Sequence, residues 1–467
     1  MTHRFNAIFD AQQKNQYAVR LSTAAERIQK LNALKNCIEA HESDIYEALH
    51  TDLRKNKFES AVTEVLFIYS EIDFAIKNLY GWMKPQHAAR NISNLLAKNR
   101  IYFEPKGVCL IIAPWNYPFQ LVMSPLISAI AAGNCAMVKP SEYSSATSGL
   151  LFRLLEKTFE EQEIACIEGD VTVSTSLLKL PFDHIFFTGS TAIGKIIMEA
   201  ASRHLSSVTL ELGGKSPVII DETTSIPKAA EKIAWGKLIN AGQTCIAPDY
   251  ALIHTSKMEE FVEAYKTAVM EMFFDKTDKR LDFKSFAKII NQKHYDRIQN
   301  LVKEATDRGA KILWGGPSNL LHQTIHPTLI GHLPENCAIM EEEIFGPILP
   351  IIPYNSLEEA IGLINRKNKP LALYIFSEDQ SHIRQILRNT SSGGACINDV
   401  LIHLSNPNLP FGGVNQSGMG SSHGFFGFKT FSHERAVVFQ SDMNAASLVY
   451  PPYKKKQWIL QLLKKLI

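Results

Sequence analysis

The chain has seven cysteines, at positions 37, 109, 135, 166, 245, 337 and 396. Most sit in or beside apolar runs, as in GVCLIIA and NCAMV, where cysteine packs as a small hydrophobe. Cys245 differs. In NAGQTCIAPDY (240–250) it stands between Gly242 and Pro248, with small Ala247 close by. A nucleophilic thiol needs access and a backbone that lets an electrophilic carbon approach. This stretch offers both, although an ordinary loop cysteine also fits it.

Thiol chemistry on a carbonyl needs two more parts, a donor for the oxyanion and a base for water. LELGGKSP (210–217) puts Glu211 between Leu210 and Leu212, just before two glycines. Partial burial there raises a carboxyl toward useful general-base values. A solvent-facing strand end is the plainer reading. APWNYP (113–118) holds Asn116 between Trp115 and Tyr117 in a loop stiffened by two prolines. Its amide can donate to a developing oxyanion, or it is simply a turn asparagine. No Lys, Arg or His lies within four residues of Cys245. A thiolate there depends on backbone dipoles, a bound cofactor or a residue distant in sequence.

Two further stretches suit a nucleotide. FFTGSTAIGK (186–195) runs from a strand through Gly189 and Ser190 into a helix, presenting free amides and a positive dipole end to an anion. The G-x-x-x-x-G spacing is not the standard dinucleotide fingerprint, and a plain strand-to-helix turn explains it equally well. VKPSE (138–142) ends a strand with Lys139 and Glu142, a pair that can grip two ribose hydroxyls or form a solvated surface pair.

The elements that position these residues alternate. Residues 20–100 read as helical, with apolar residues at three- and four-residue spacing. From about 107 apolar strands alternate with helices: GVCLIIA, CAMVKP, IACIEG, HIFFTG and SVTLEL, with a helix over 144–159. A second series begins near 217 with PVII, YALIH, ILPIIPY, LALYIFS and ACIND. Both series predict α/β units, each with a parallel sheet covered on both faces and ligands at the strands' carboxyl ends. The segments 81–105 and 429–445 look extended and pair as a small outlying sheet.

Composition excludes several classes. With 45% hydrophobic and 21% charged residues and a net charge of +2, nothing calls for nucleic acid. The N-terminus lacks the apolar run of a secretory signal, and no stretch is apolar long enough to span a bilayer. The odd, widely spaced cysteines without CxxC argue against disulfides and a zinc site, and suit a reducing cytoplasm. The tail YPPYKKKQWILQLLKKLI (450–467) is a short basic amphipathic helix candidate. Docking on protein is favoured over an anionic membrane surface, because the apolar face is short.

PWNYP, FTGSTAIGK, LELGGKSP, GQTCIAPDY, EEIFGP (342–347) and LPFGGVNQSGMG (409–420) occur in the order seen in NAD(P)-dependent aldehyde dehydrogenases. From about residue 15 to the C-terminus the chain resembles that family. GQTCIAPDY and HGFFGFKTFSHERAVV most resemble its class 3 branch, the aromatic and fatty aldehyde dehydrogenases. The resemblance implies two doubly wound α/β domains: a Rossmann-like cofactor domain (1–80 and 106–210) and a catalytic domain (211–428). It adds a bridging and oligomerisation segment (81–105 and 429–445), a tail (446–467) and a homodimer.

The resemblance implies roles as well. Cys245 attacks the aldehyde, Asn116 and the Cys245 amide hold the oxyanion, hydride passes to the nicotinamide, and Glu211 activates water to hydrolyse a thioester. Lys139 and Glu142 match contacts to the adenosine ribose, and Gly189 and Ser190 the pyrophosphate turn. Glu343 and Phe345 match the nicotinamide ribose and ring, with Trp115 nearby. Glu142 favours NAD, although class 3 members often accept NADP too. The substrates implied are medium- or long-chain aliphatic or aromatic aldehydes, with a dedicated semialdehyde or coniferyl-type aldehyde as the alternative. Intact Cys245, Glu211 and Asn116 weigh against a purely structural role. Asn415 stands where a glycine is expected, and asparagine tolerates left-handed backbone. His423 reads as a packed or capping histidine.

Overall fold

The computed structural model describes residues 2–91, 96–316, 318–440, 442 and 450–466, leaving aside the side chains of residues 2, 462, 463, 465 and 466. Helices lead the chain. They begin at Thr2–Arg20, earlier than the sequence pattern suggests, and continue through Ala24–Ala40, Glu42–Leu53 and Leu66–Trp82. The second starts with a capping box, Thr23 and Glu26 each satisfying the other's backbone N–H. Between the third and fourth, Ala61–Val65 is wound as a π-helix, a form that often marks a functional site.

Six strands form the first sheet, in the order Gly418–Met419, Ser207–Leu212, His184–Gly189, Val108–Ile112, Cys135–Lys139, Ile164–Cys166. From the central Val108–Ile112 the chain steps outward through the next two strands. It then returns to lay His184–Gly189 on the other side. That reversal opens a crevice at the carboxyl ends of the strands. Val108–Ile112 and Cys135–Lys139 are buried throughout, as a sheet covered on both faces requires. One face packs on the helices Ala24–Ala40, Glu42–Leu53 and Leu66–Trp82 and on Gln120–Ala132 and Ser145–Thr158. The other packs on Phe5, Ile8, Phe9, Phe182 and their neighbours.

The second sheet has seven strands, in the order Lys311–Trp314, Thr328–Gly331, Ile348–Tyr354, Tyr250–His254, Pro217–Ile220, Ala372–Phe376, Gly394–Ile397. Its first two strands are missing from the sequence series: ILW in Lys311–Trp314 and LI in Thr328–Gly331 are apolar runs too short to mark a strand. Lys98–Pro105 pairs antiparallel with Ser432–Phe439 and Gln86–Ala88, so the expected outlying sheet forms. Residues 81 and 82 belong instead to the preceding helix. Residues 92–95, 441 and 443–449 lie outside the described residues.

The last part of the chain returns to the first sheet. Gly418 pairs with Glu211 and Met419 with Leu210, and Phe428 joins the first core. The sheets therefore cut across the 211–428 unit drawn from the sequence. Gln457–Leu466 is helical, with Ile459 buried and Trp458 and Leu460 exposed. Among the described residues, no helix is long and apolar enough to cross a membrane.

Candidate active site

The Cys245 loop is strained and braced. After the helix Ile226–Leu238 the backbone is left-handed at three successive residues, Asn240 (φ 51°), Ala241 (φ 52°) and Gly242 (φ 77°). Only glycine adopts this without cost. Hydrogen bonds hold the turn. Glu59 accepts from Asn240 N at 2.9 Å, and Asn240 Nδ2 donates to Asn116 O at 2.7 Å. Gln243 Nε2 donates to Asn240 O and Lys288 O, both at 3.0 Å, and its Oε1 accepts from Ile290 N. A Cβ on Gly242 would collide with Gly346 O, so this loop and EEIFGP meet backbone to backbone.

Cys245 is half-buried and lines a cavity of about 210 Å³. Burial, then the carboxylates of Glu343 and Glu211, push its thiol up to about 12, while the amides of Cys245 and Ile246 favour the thiolate. The backbone dipoles expected from the sequence are present but outweighed, so without ligand the group rests as a thiol.

Glu211 lines the same cavity from the end of its strand. Ser422 Oγ donates to its Oε1 at 3.0 Å, and Oε2 is buried without a partner among the described residues. Burial pushes its carboxyl up to about 8, against the Ser422 hydrogen bond. That is the environment anticipated for a base, achieved by deeper burial than two flanking leucines alone provide. Asn116 is buried, and its Nδ2 donates to Gln243 O at 3.0 Å. One N–H of that amide remains. Asn116 does not line the cavity wall, whereas Tyr117 does, its hydroxyl 2.7 Å from Thr244 Oγ1.

A buried ion pair supports the Asn116 loop from below. Lys55 Nζ lies 2.5 Å from Glu64 Oε1, with both side chains fully buried. Glu64 Oε2 accepts from Phe119 N at 2.9 Å and Gln120 N at 3.1 Å. The Lys55 ammonium sits 4.0 Å from the Tyr117 ring centroid, within cation–π range. Glu64 belongs to the π-helix, whose Val62 and Thr63 line the cavity.

The residues matched to a nucleotide lie at neighbouring strand ends. Ile112 pairs with Lys139 on one side and Phe187 on the other, and Gly189 pairs with Leu212. Lys139 Nζ donates to Glu142 Oε2 at 2.7 Å, from a buried lysine to an exposed glutamate. Ser190 caps the helix Thr191–Ser202. Trp115 meets Phe345 edge-on at 5.4 Å. Phe345 has φ 51°, and Glu343 lies against Gly213, where a Cβ would collide with it. Burial and Asp249 push Glu343 up to about 8.

Several parts of this site escape sequence reasoning. Lys55, Glu59, Glu64 and Ser422 act on residues far away in the chain and carry no local motif. His294 packs 4.8 Å from Trp115, and burial lowers it to about 4. Lys237 is buried, its Nζ without a partner among the described residues, and burial lowers it to about 8. Asn415 does take left-handed backbone, at φ 57°. Among the described residues, Asp221, Glu222 and His382 bring ligand-type atoms within 4.8 Å of one another. Asp221 is already taken by Ser377, Thr223, Thr224 and His382.

Residues 2–437 match the family model for the aldehyde dehydrogenase family. The chain is 46% identical to the 4,4'-diaponeurosporen-aldehyde dehydrogenase of Staphylococcus aureus, over 92% of each chain. It is 43% identical to aldehyde dehydrogenase family 3 member A2 of Mus musculus, over 91% of this chain and 87% of the relative. The solved structure of a substrate-bound state of Staphylococcus aureus AldH superposes with a TM-score of 0.93 at 43% identity, covering 98% of this chain and 99% of that one. A thiol, a raised carboxyl and a crevice at a reversal of strand order thus occur in a chain that belongs to the aldehyde dehydrogenase family, in its class 3-like branch.

Proposed function

We propose that this oxidoreductase converts aromatic and medium-chain aldehydes to carboxylic acids, with Cys245 as nucleophile, Asn116 as oxyanion donor and Glu211 as base. One observation carries the reading: Cys245 and Glu211 line a single apolar cavity, and the Glu211 carboxyl is held near neutrality.

The Cys245 thiol releases its proton to water, Sγ bonds to the aldehyde carbon, and the carbonyl electron pair moves to oxygen. The free N–H of Asn116 and the backbone N–H of Cys245 receive that oxyanion. When bound, NAD(P) supplies the acceptor for the hydride that leaves as the carbonyl reforms. A thioester then remains on Cys245. Glu211 takes a proton from water, the hydroxyl attacks the thioester, the C–S bond breaks, the proton on Glu211 passes to the leaving sulfur and the acid departs.

The donor set fits a dinucleotide. The N-terminus of Thr191–Ser202 offers amides for the pyrophosphate, and Lys139 with Glu142 offers donor and acceptor for ribose hydroxyls. The exposed Glu142 carboxylate opposes a 2′-phosphate, so NAD is preferred and NADP is accepted less well.

A cavity of about 210 Å³ exceeds the roughly 150 Å³ that holds a benzene ring. It suits one substituted ring or a chain of similar bulk. Phe67, Leu121, Trp235, Ile239 and Phe411 dominate its wall, and among the described residues no lysine or arginine lines it. A semialdehyde's carboxylate would lose its hydration there uncompensated. The edge strand Ser432–Phe439, with Val438 and Phe439 exposed, is the surface for a second copy. The seven free cysteines suit a reducing cytoplasm.

Purified protein with NAD and benzaldehyde or hexanal is expected to produce NADH absorbance, and Cys245→Ala to abolish it. Full activity in Cys245→Ala would sink the mechanism. Glu211→Gln is expected to give a burst of about one NADH per site and then stall; steady turnover would remove Glu211 as the base.

A further inference from the structure

A second buried polar cluster opens on the same cavity. Ser124 and His423 line it, with Glu71 behind them. His423 Nδ1 lies 3.3 Å from Glu71 Oε2 and 3.3 Å from Ser124 Oγ, and Ser124 Oγ lies 3.4 Å from Glu71 Oε2. The imidazole is clamped by Phe67 and Phe411, each with its ring centroid 5.4 Å away. The backbone at His423 is left-handed, at φ 69°. An imidazole held on a strained backbone among aromatic rings has no freedom to turn.

The Ser124 hydroxyl donates to Glu71 Oε2 and so is left to accept from His423 Nδ1, with the Glu71 carboxylate alongside. The Nδ1 proton held in this way leaves the lone pair on Nε2. No described residue takes up that Nε2, and it is not among the sealed, unpartnered buried atoms. His423 is 4% exposed and lines the cavity. Its remaining acceptor is therefore open only toward the space a substrate would fill. A histidine that merely packed or capped a helix would not need a buried carboxylate to orient it.

We propose that His423 is a specificity residue: its Nε2 accepts a hydrogen bond from a hydroxyl on the aldehyde, so the cavity selects hydroxylated aromatic aldehydes. This rests on the aldehyde-oxidising reading above. An aldehyde bearing a methyl group in place of the hydroxyl fills the same volume but displaces water from Nε2 without replacing its hydrogen bond. Discrimination follows from the unmet acceptor and not from fit.

The test compares kcat/KM for ortho-, meta- and para-hydroxybenzaldehyde, each against its methyl isostere, in the parent protein, in His423→Phe and in Glu71→Gln. In the parent, at least one hydroxylated isomer is expected to exceed its isostere by about tenfold or more, the scale of one net hydrogen bond. In His423→Phe that ratio falls toward one, which removes the intrinsic electronic effect of the hydroxyl from the comparison. In Glu71→Gln the ratio also falls, because an amide can donate as well as accept and so no longer imposes one tautomer, and the proposal stays testable if the phenylalanine variant fails to fold. A parent enzyme that oxidises these aldehydes with no isomer preferred, or a preference unchanged in both variants, overturns the assignment of His423. A parent enzyme inactive on every aldehyde overturns the oxidising reading instead.

Discussion

Replacing Lys55 by methionine tests whether the buried ion pair beneath the Asn116 loop holds it in place. Methionine has similar length, so the change removes charge and little volume. The Lys55 and Glu64 side chains are both 0% exposed, so no solvent screens the loss. Breaking a buried pair by removing one partner costs about 3–5 kcal/mol. Glu64 keeps its two amide donors, Phe119 N and Gln120 N, which puts the cost near the lower end, about 3 kcal/mol. At about 2–4 °C per kcal/mol for a unit of this size, thermal unfolding is expected about 6–12 °C lower. The loop that carries Asn116 and Tyr117 loosens as well, so kcat falls by about tenfold to a hundredfold. Differential scanning fluorimetry and NADH production read the two effects. The double variant Lys55→Met/Glu64→Gln removes the stranded charge while leaving an acceptor for the amides. It is expected to recover part of the lost stability. A single variant within about 1 kcal/mol of the parent, or a double variant no better than the single, refutes the reasoning.

Two further predictions concern ionisation. With the Glu211 carboxyl near 8, turnover limited by thioester hydrolysis rises about tenfold between pH 7 and pH 9 as the base ionises. The same shift works against stability: the folded state keeps a proton that the unfolded chain has released, so stability falls as pH rises from the ordinary carboxyl value toward 8. A flat rate profile over that interval would contradict the assignment. The second concerns Glu343, whose charge is the largest influence on Cys245 after burial. Without cofactor, Glu343→Gln is expected to speed iodoacetamide alkylation of Cys245 at pH 8, followed by mass spectrometry. A rate at or below the parent's excludes Glu343 as a brake on the thiol.

The chemistry of the site was more legible than its scaffolding. Cys245 and Glu211 were candidates on local contrast, each with a plainer reading beside it, and the resemblance supplied their roles. Asn415 was readable only through the resemblance, which places a glycine there, and its left-handed backbone fits that position. Asn240 and Gln243 sit in the very stretch that exposed Cys245. Their bracing depends on the carbonyls of Asn116 and Lys288, which no spacing rule places there. Ser422 reaches Glu211 across 211 positions and Glu64 reaches Phe119 across 55. Those partners become neighbours only once the strand order and helix packing exist. The edge strand Lys311–Trp314 escapes because its apolar run, Ile312 to Trp314, is too short to tell from a loop.

The two-residue strand Gly418–Met419 sets a timetable for the growing chain. Glu211 is synthesised near the middle of the polypeptide, and Cys245 soon after. The strand that pairs with Glu211, and the Ser422 hydroxyl that fixes its carboxylate, emerge almost at the end. Until then the base stands on the unguarded edge of its sheet. A nascent or truncated chain thus carries every reactive side chain without the clamp that aligns them. The surroundings of Glu211 are therefore completed only when nearly the whole chain has been made.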